Sequence, residues 1–190
     1  IEQYGVLAIL ELTILLLLAL LNFGITSGHE RFFYLERGKN EYNKFLFNNV
    51  LGLFLISLVS LIIINFFRPF LSEILWGNLD YSYLLLLVLI ITFVEINNII
   101  PFQILQYDGK PLVYILTNFV RLLISVGATV YFVISRNLGI EGVLYGRLVG
   151  SGLIMVFQFI SVVIPRILIK IDLSKVIMTM RYGLPFTVSL

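Results

Sequence analysis

The 190-residue sequence contains no cysteine, a single histidine and few charged side chains. Without cysteine, a disulfide scaffold, a cysteine-ligated zinc site and thiol chemistry are excluded. Charged residues make up 13% of the chain, against roughly 25% in soluble domains. Apolar residues make up 59%, and the mean hydropathy is +1.02. Because too few polar side chains remain to cover a soluble surface, the composition excludes an ordinary globular domain, a disordered segment and a nucleic-acid binder with a basic face.

Five apolar stretches are long enough to cross a bilayer as helices, which takes about 20 residues. Strands would be shorter and would alternate in polarity, so the sequence predicts an all-α, polytopic transmembrane bundle without a separate soluble domain. No charged n-region is visible before the first stretch, so we expect it to be a membrane span and not a signal peptide. Since the chain begins at Ile1 and an apolar run stops at Leu190, we expect a fragment of a longer protein. The predicted spans are 4–26, 45–67, 84–100, 112–134 and 142–164, with a further span starting at about 182–190.

The basic residues predict the orientation of these spans, because cytoplasmic loops are enriched in Lys and Arg. The segments after spans one, three and five hold nine of the 13 basic residues. Only Arg68 and Arg136 lie in the segments after spans two and four. We therefore expect the loop 27–44 and the C-terminal segment on the cytoplasmic side. The stretch 167–180 alternates charged and apolar residues and is expected to lie along that interface as an amphipathic helix.

Four ionisable residues lie at membrane depth, where a charge is costly and usually faces the bundle interior or an aqueous cavity. A rise of about 1.5 Å per residue predicts an outer couple of Glu11 with Arg147 and an inner couple of Glu95 with Arg121. Each couple could be a static salt bridge between helices. Alternatively, the arginines line a hydrated lumen and attract an anionic substrate, with the carboxylates as counter-charges or proton-coupling groups. Span two carries no charge, so we expect it to face lipid.

Other features of the sequence point to packing more than to chemistry. Gly142, Gly146 and Gly150 repeat every four residues, which is typical of closely packed membrane helices. His29 has no second histidine for a metal site, and we expect it to be a solvated loop residue. The sequence shows no nucleophile–base arrangement and no metal-binding carboxylate cluster. We therefore predict neither an enzyme nor a cofactor.

Four segments, in order, resemble the Wzx-type polysaccharide flippases of the multidrug/oligosaccharidyl-lipid/polysaccharide exporter superfamily. One is the glycine-rich turn and short charged loop Asn22–Phe32, which resembles the end of the family's second helix. The other three resemble a cytoplasmic link, an outer turn and the opening of the seventh helix. They are Leu105–Pro111, Leu138–Gly146 and Tyr182–Pro185. The resemblance covers family helices two to six and the start of helix seven, within the N-terminal lobe.

The resemblance implies a transporter with two six-helix lobes that moves an undecaprenyl-pyrophosphate-linked oligosaccharide from the cytoplasmic to the outer leaflet by alternating access of a cationic cavity. It implies a bacterial or archaeal inner membrane, surface polysaccharide such as the O-antigen of lipopolysaccharide, and contact with other membrane proteins of that assembly. Arginine suits a pyrophosphate because it binds in a multidentate way. The candidate substrate-binding residues are Arg31, Arg121, Arg147 and Asn118, and the candidate coupling or counter-charge residues are Glu11 and Glu95.

Two alternatives remain open at the level of sequence. A drug exporter of the same superfamily, coupled to H⁺ or Na⁺, would place a carboxylate such as Glu95 at the centre of coupling. A membrane-embedded glycan polymerase would usually need a sizeable outer loop or an acidic motif at the interface. The outer segments 68–83 and 135–141 are short.

Overall fold

The computed structural model describes residues 2–37, 42–77, 81–166 and 171–187. Eight α-helices and no strand occur in these ranges, so the predicted all-α class is confirmed. The first four helices are α1 (Glu2–Leu21), α2 (Ile25–Glu36), α3 (Tyr42–Phe66) and α4 (Arg68–Trp76). The last four are α5 (Ser82–Tyr107), α6 (Pro111–Val130), α7 (Gly139–Gln158) and α8 (Leu173–Thr187).

Five of these helices are long and apolar enough to cross a membrane, as the sequence predicts. They are α1, α3, α5, α6 with a π-helical extension to Ser135, and α7 with extensions to Arg166. The chain is thus a helical protein with five candidate membrane-spanning helices. The single-bundle fragment and its place in a larger lobe stay predictions.

The first predicted span, 4–26, is not one helix in the structure. The helix ends at Leu21, and Phe23 (φ 47°) and Gly24 (φ 71°) turn the chain before α2 begins. The N-cap residue is Gly24, and the Asn22 carboxamide, two residues earlier, accepts a hydrogen bond from the Thr26 backbone N–H at 3.0 Å, which satisfies one free donor of the first turn. The predicted loop 27–44 therefore contains a helix, α2, whose buried residues recur with helical spacing at Ile25, His29, Phe33 and Glu36.

The third predicted span, 84–100, is longer in the structure because α5 continues through Pro101 to Tyr107. Proline lacks the N–H that would bond to the Asn97 carbonyl, but membrane helices tolerate this loss when neighbouring helices enclose the site. Pro101 and Asn97 are both buried. Two other prolines stand at helix starts, Pro69 in α4 and Pro111 in α6, where the missing donor costs nothing.

Helix α5 is the centre of the bundle and contacts α1, α3, α4, α6 and α7. Its buried residues surround the whole helix, as expected for a helix enclosed by others. The expectation that span two faces lipid is wrong: nine residues of α3 are buried, whereas Thr117 is the only buried residue of α6. The uncharged part of α3, after Lys44, still carries small and polar residues that pack against its neighbours, including Asn49, Gly52 and Ser57.

Helices α2 and α8 pack antiparallel with their backbones in close contact. Three contacts give the direction: Glu36 with Lys175, Gly28 with Thr179, and Gly24 with Gly183. A Cβ on Gly28 would lie 2.1 Å from the Thr179 carbonyl oxygen, so only glycine permits this approach. The predicted amphipathic stretch 167–180 and the run 182–190 meet in this one helix, α8; residues 167–170 and 188–190 lie outside the described residues.

The segments that the charge pattern assigns to the cytoplasm meet at one end of the bundle. Asp108, after α5, accepts hydrogen bonds from Arg166 at 2.7 Å and from the Tyr42 hydroxyl at 2.9 Å. Asp172, before α8, pairs with Lys44 at 3.0 Å. The Ser174 hydroxyl and the Lys44 ammonium lower the pKa of Asp172 to about 2. The membrane side of this end stays a prediction from the charge pattern.

Candidate functional site

A cluster of three charged side chains joins α1, α5 and α7. The Arg147 guanidinium donates from Nε to Glu95 Oε1 and from Nη2 to Glu95 Oε2, both at 2.7 Å. Its third nitrogen, Nη1, donates to Glu11 Oε2. The Ser151 hydroxyl, one helical turn after Arg147, donates to Glu95 Oε1 at 3.2 Å. Arg147 is therefore held by two carboxylates, and the bidentate pair fixes its orientation.

Glycine spacing in α7 sets the position of Arg147. Gly146 and Gly150 contact α6, where a Cβ on Gly146 would lie 2.0 Å from Thr129 Oγ1 and one on Gly150 would lie 2.7 Å from Ser125 Cβ. The packing role predicted for the glycine repeat is confirmed at these two contacts. Arg147 and Ser151 each follow one of these glycines directly, so α7 carries them beside the face that packs on α6.

The cluster borders a cavity of about 390 Å³ that α6 closes on the other side. Polar side chains along one face of α6 line it at the spacing predicted from the sequence. Because acids, amides, hydroxyls and guanidinium groups share this cavity, it is suited to water or to a polar ligand. The polar lining residues are Glu11, Glu95, Asn118, Arg121, Ser125, Thr129, Arg147 and Ser151.

Arg121 lines the same cavity but pairs with no carboxylate in the described part of the chain. Its guanidinium carbon lies 5.7 Å from the centre of the Phe102 ring, in the range of a cation–π contact. The predicted outer couple of Glu11 and Arg147 is present, whereas the predicted inner couple of Glu95 and Arg121 is wrong. Glu95 was placed too near the inner end because the predicted span stops at residue 100; α5 runs from Ser82 to Tyr107, so Glu95 lies near its middle, within reach of Arg147.

Asn118 lies one turn from Arg121 and also lines the cavity. This position is compatible with the candidate substrate-binding role that the sequence suggests for it. Its amide donates to the Tyr114 carbonyl at 3.1 Å, which leaves the carboxamide oxygen available to a ligand. At the end of a predicted span, Phe102 is expected from the sequence to be an interfacial anchor, so its contact with Arg121 was missed. Phe102 is buried and lies seven residues after Glu95, and this two-turn spacing could have placed it on the cavity face.

Arg31 is not part of this cavity. It is exposed on α2, with its guanidinium carbon 5.0 Å from the centre of the Tyr182 ring, and it borders an open groove with Glu30 and Tyr34. The structure thus separates the four candidate substrate-binding residues into Arg31 at one end of the bundle and the other three at the cavity.

The expectation that His29 is solvated is wrong. Its ring is fully buried between Phe45, stacked at 5.3 Å, and Phe33, edge-on at 6.0 Å. Burial lowers the pKa of His29 to about 3, so the imidazole is neutral. No group of three His, Asp or Glu side chains converges as a metal site within the described ranges.

No protein-family model, no curated protein and no solved structure matches the chain. The fold and the site are therefore the evidence on function: five candidate membrane-spanning helices, and a polar cavity lined by a cluster of Arg147 with two carboxylates and by Arg121, which pairs with no carboxylate among the described residues.

Proposed function

We propose that the protein transports an anionic, lipid-linked oligosaccharide across the inner membrane of a bacterium or archaeon and catalyses no covalent reaction. The single observation that carries this proposal is Arg121, an arginine without an ionic partner among the described residues, beside a polar cavity. A charge at membrane depth is costly and usually serves a ligand or an ion pathway. A phosphate would give Arg121 the direct ionic contact that no carboxylate of the described residues makes, with bidentate geometry.

The neighbouring contacts support this assignment because they leave Arg121 as the lining arginine without a direct carboxylate contact among the described residues, while Glu11, Glu95 and Arg147 together carry one net negative charge. Arg147 is occupied by Glu95 and Glu11, so it positions the carboxylates and holds three helices together. Arg121 is then the cation on which an anionic head group would depend. Arg31, at the end of the bundle predicted to face the cytoplasm, would meet the substrate before it reaches the cavity.

Complementation tests this function in a strain that lacks its own flippase for lipid-linked oligosaccharides. We expect Arg121→Ala to abolish the surface polysaccharide, Arg121→Lys to restore part of it, and Arg31→Ala to reduce it. Arg136→Ala is the matched control, because Arg136 is exposed and contacts Tyr131 outside the cavity. Full rescue by both Arg121→Ala and Arg31→Ala, at normal expression, would contradict the proposal.

A second candidate is a drug exporter coupled to H⁺ or Na⁺, favoured by the presence of two carboxylates around one guanidinium. Coupling would require the ion to displace Arg147 from one carboxylate. Under this function Glu95→Gln abolishes transport and Arg121→Ala is tolerated. Under the proposed function Arg121→Ala is at least as damaging as Glu95→Gln, so the two variants separate the candidates.

A further inference from the structure

Arg68 lies beside an apolar crevice at the opposite end of the bundle from the cluster around Asp108. The crevice has a volume of about 170 Å³ and is walled by α1, the end of α3, α4 and the first turns of α5. Apart from Arg68 and Thr13, its walls are apolar. The charge pattern predicts this end to lie at the outer face of the membrane.

The Arg68 guanidinium has no partner to balance its charge. Its Nε is buried and makes no hydrogen bond, and no carboxylate pairs with it in residues 2–37, 42–77, 81–166 and 171–187. A buried donor without an acceptor costs free energy, and this cost is larger for a charged group. Arg68 as a whole is half-buried, and Nε is its one buried nitrogen without a partner, so an anion at the mouth of the crevice would be the best acceptor for this guanidinium.

A second apolar groove meets this crevice at Leu89. It has a volume of about 320 Å³ and runs between α3 and α5, with Ile62, Phe66 and Phe93 in its walls. Ile62 and Phe66 are exposed, so the groove opens on the surface that a bilayer would cover. Two neighbouring apolar grooves with one cation beside them match a molecule with two hydrocarbon chains and one anionic group.

We propose that this surface binds one glycerophospholipid of the outer leaflet, with its phosphate on Arg68 and its acyl chains in the two grooves that share Leu89. The site is separate from the polar cavity, and it does not depend on the proposed transport function. A bound lipid of this kind would satisfy Arg68 and fill the gap between α1, α4 and α5.

Native mass spectrometry of the delipidated chain in detergent tests the headgroup contact. The probes are dioleoyl-phosphatidylglycerol, dioleoylglycerol, which lacks the phosphate, and glycerol phosphate, which lacks the chains. We expect phosphatidylglycerol to bind about tenfold more tightly than dioleoylglycerol, as the loss of a charge-assisted hydrogen bond implies, and also more tightly than glycerol phosphate, which buries no acyl chain. Arg68→Gln should remove this preference, and the matched charge loss Arg136→Gln should keep it. Equal phosphatidylglycerol binding by the wild type and Arg68→Gln would overturn the proposal.

A second pair of variants tests the crevice without changing a charge. Leu75 lines the crevice, whereas its neighbour Ile74 is 62% exposed and lies outside it. Leu75→Trp should weaken phosphatidylglycerol binding severalfold, because the larger side chain occupies the acyl-chain site, and Ile74→Trp should not. Equal affinity of these two variants would also overturn the proposal, whatever the behaviour of Arg68→Gln.

Discussion

At the residue scale, the arrangement of charges around Arg147 decides what each one can do. The Glu95 side chain is 12% exposed and the Glu11 side chain 39%, so the two carboxylates differ in how much solvent can replace a lost partner. Neutralising Glu95 weakens two charge-assisted hydrogen bonds to a partly enclosed guanidinium, which then keeps one carboxylate, Glu11, whereas neutralising Glu11 weakens only one. The bidentate contact with Glu95 is therefore the stronger tie.

Glu95→Gln should accordingly cost more stability than Glu11→Gln. We expect a loss of about 2 kcal/mol for Glu95→Gln and less than about 1 kcal/mol for Glu11→Gln, because solvent screens the more exposed pair. Reversible unfolding in mixed detergent micelles measures both values. Equal losses, or a larger loss for Glu11→Gln, would show that Glu95 does not anchor the arginine.

His29 gives the fold a dependence on pH that carboxylates alone would not give. Because burial lowers its pKa to about 3 in the folded protein from about 6.5 when unfolded, the unfolded chain binds a proton first. The stabilisation is present above pH 6.5 and is lost as the pH falls towards 3, by at most about 1.4 kcal/mol per pH unit. Thermal unfolding of the wild type between pH 7 and 4 should show a steeper loss than that of His29→Phe. Parallel curves would contradict the burial of a neutral imidazole.

At this scale the sequence predicted which residues of α6 line the cavity, but it did not predict which arginine pairs with which carboxylate. Helical spacing places Asn118, Arg121 and Ser125 on one face, and the structure puts all three at the cavity. Spacing gives no information on how neighbouring helices are rotated, so it could not show that Arg147 takes the carboxylate assigned to Arg121. The buried environment of His29 was missed for the same reason, since it depends on α3.

At the scale of elements, close contact between α6 and α7 depends on glycine. A Cβ on Gly146 would lie 2.6 Å from the Thr129 backbone nitrogen as well as against its hydroxyl. Backbone atoms cannot move aside as a flexible side chain can, so the two helices would have to separate. Such a separation would also shift Arg147, the next residue in the chain.

Gly146→Ala should therefore destabilise the protein by about 1–3 kcal/mol, the usual cost of overpacking. Gly152→Ala on the same helix is the matched control, because nothing lies within 4 Å of its added Cβ, and alanine favours a helix by up to about 1 kcal/mol. Thermal unfolding in detergent measures both. A Gly146→Ala variant as stable as Gly152→Ala would contradict the close packing of α6 on α7.

The sequence predicted those helices that are recognisable from the length and hydropathy of an apolar run. All five long apolar helices were found, but the first span was ended at Thr26 instead of Leu21, although the resemblance marks Asn22–Phe32 as a glycine-rich turn. Helix α4 was missed because its nine residues, Arg68–Trp76, are too few to register as a span. Pro101 was read as a helix end, although its neighbours enclose it and the helix continues.

At the scale of the whole molecule, the account depends on a polar cavity within a bundle that spans a membrane. Helix α6 separates the cavity from the outer surface of the bundle. Polar side chains line the cavity on one face of this helix, while apolar residues such as Phe119 and Val126 are exposed on the other. The charge pattern predicted which segments share an end of the bundle, and the contacts at Asp108 and Asp172 bring them together.

The absence of natural cysteine allows the most direct test of this claim, single cysteines on the two faces of α6 in native membranes. Each pair compares adjacent positions at nearly the same depth: Ser125→Cys with Val126→Cys, and Asn118→Cys with Phe119→Cys. Thiols react with a charged, water-soluble methanethiosulfonate only as thiolates in contact with water. The account predicts that Ser125→Cys and Asn118→Cys are labelled while Val126→Cys and Phe119→Cys are not. Labelling of the opposite pair, or equal labelling of all four, would contradict it.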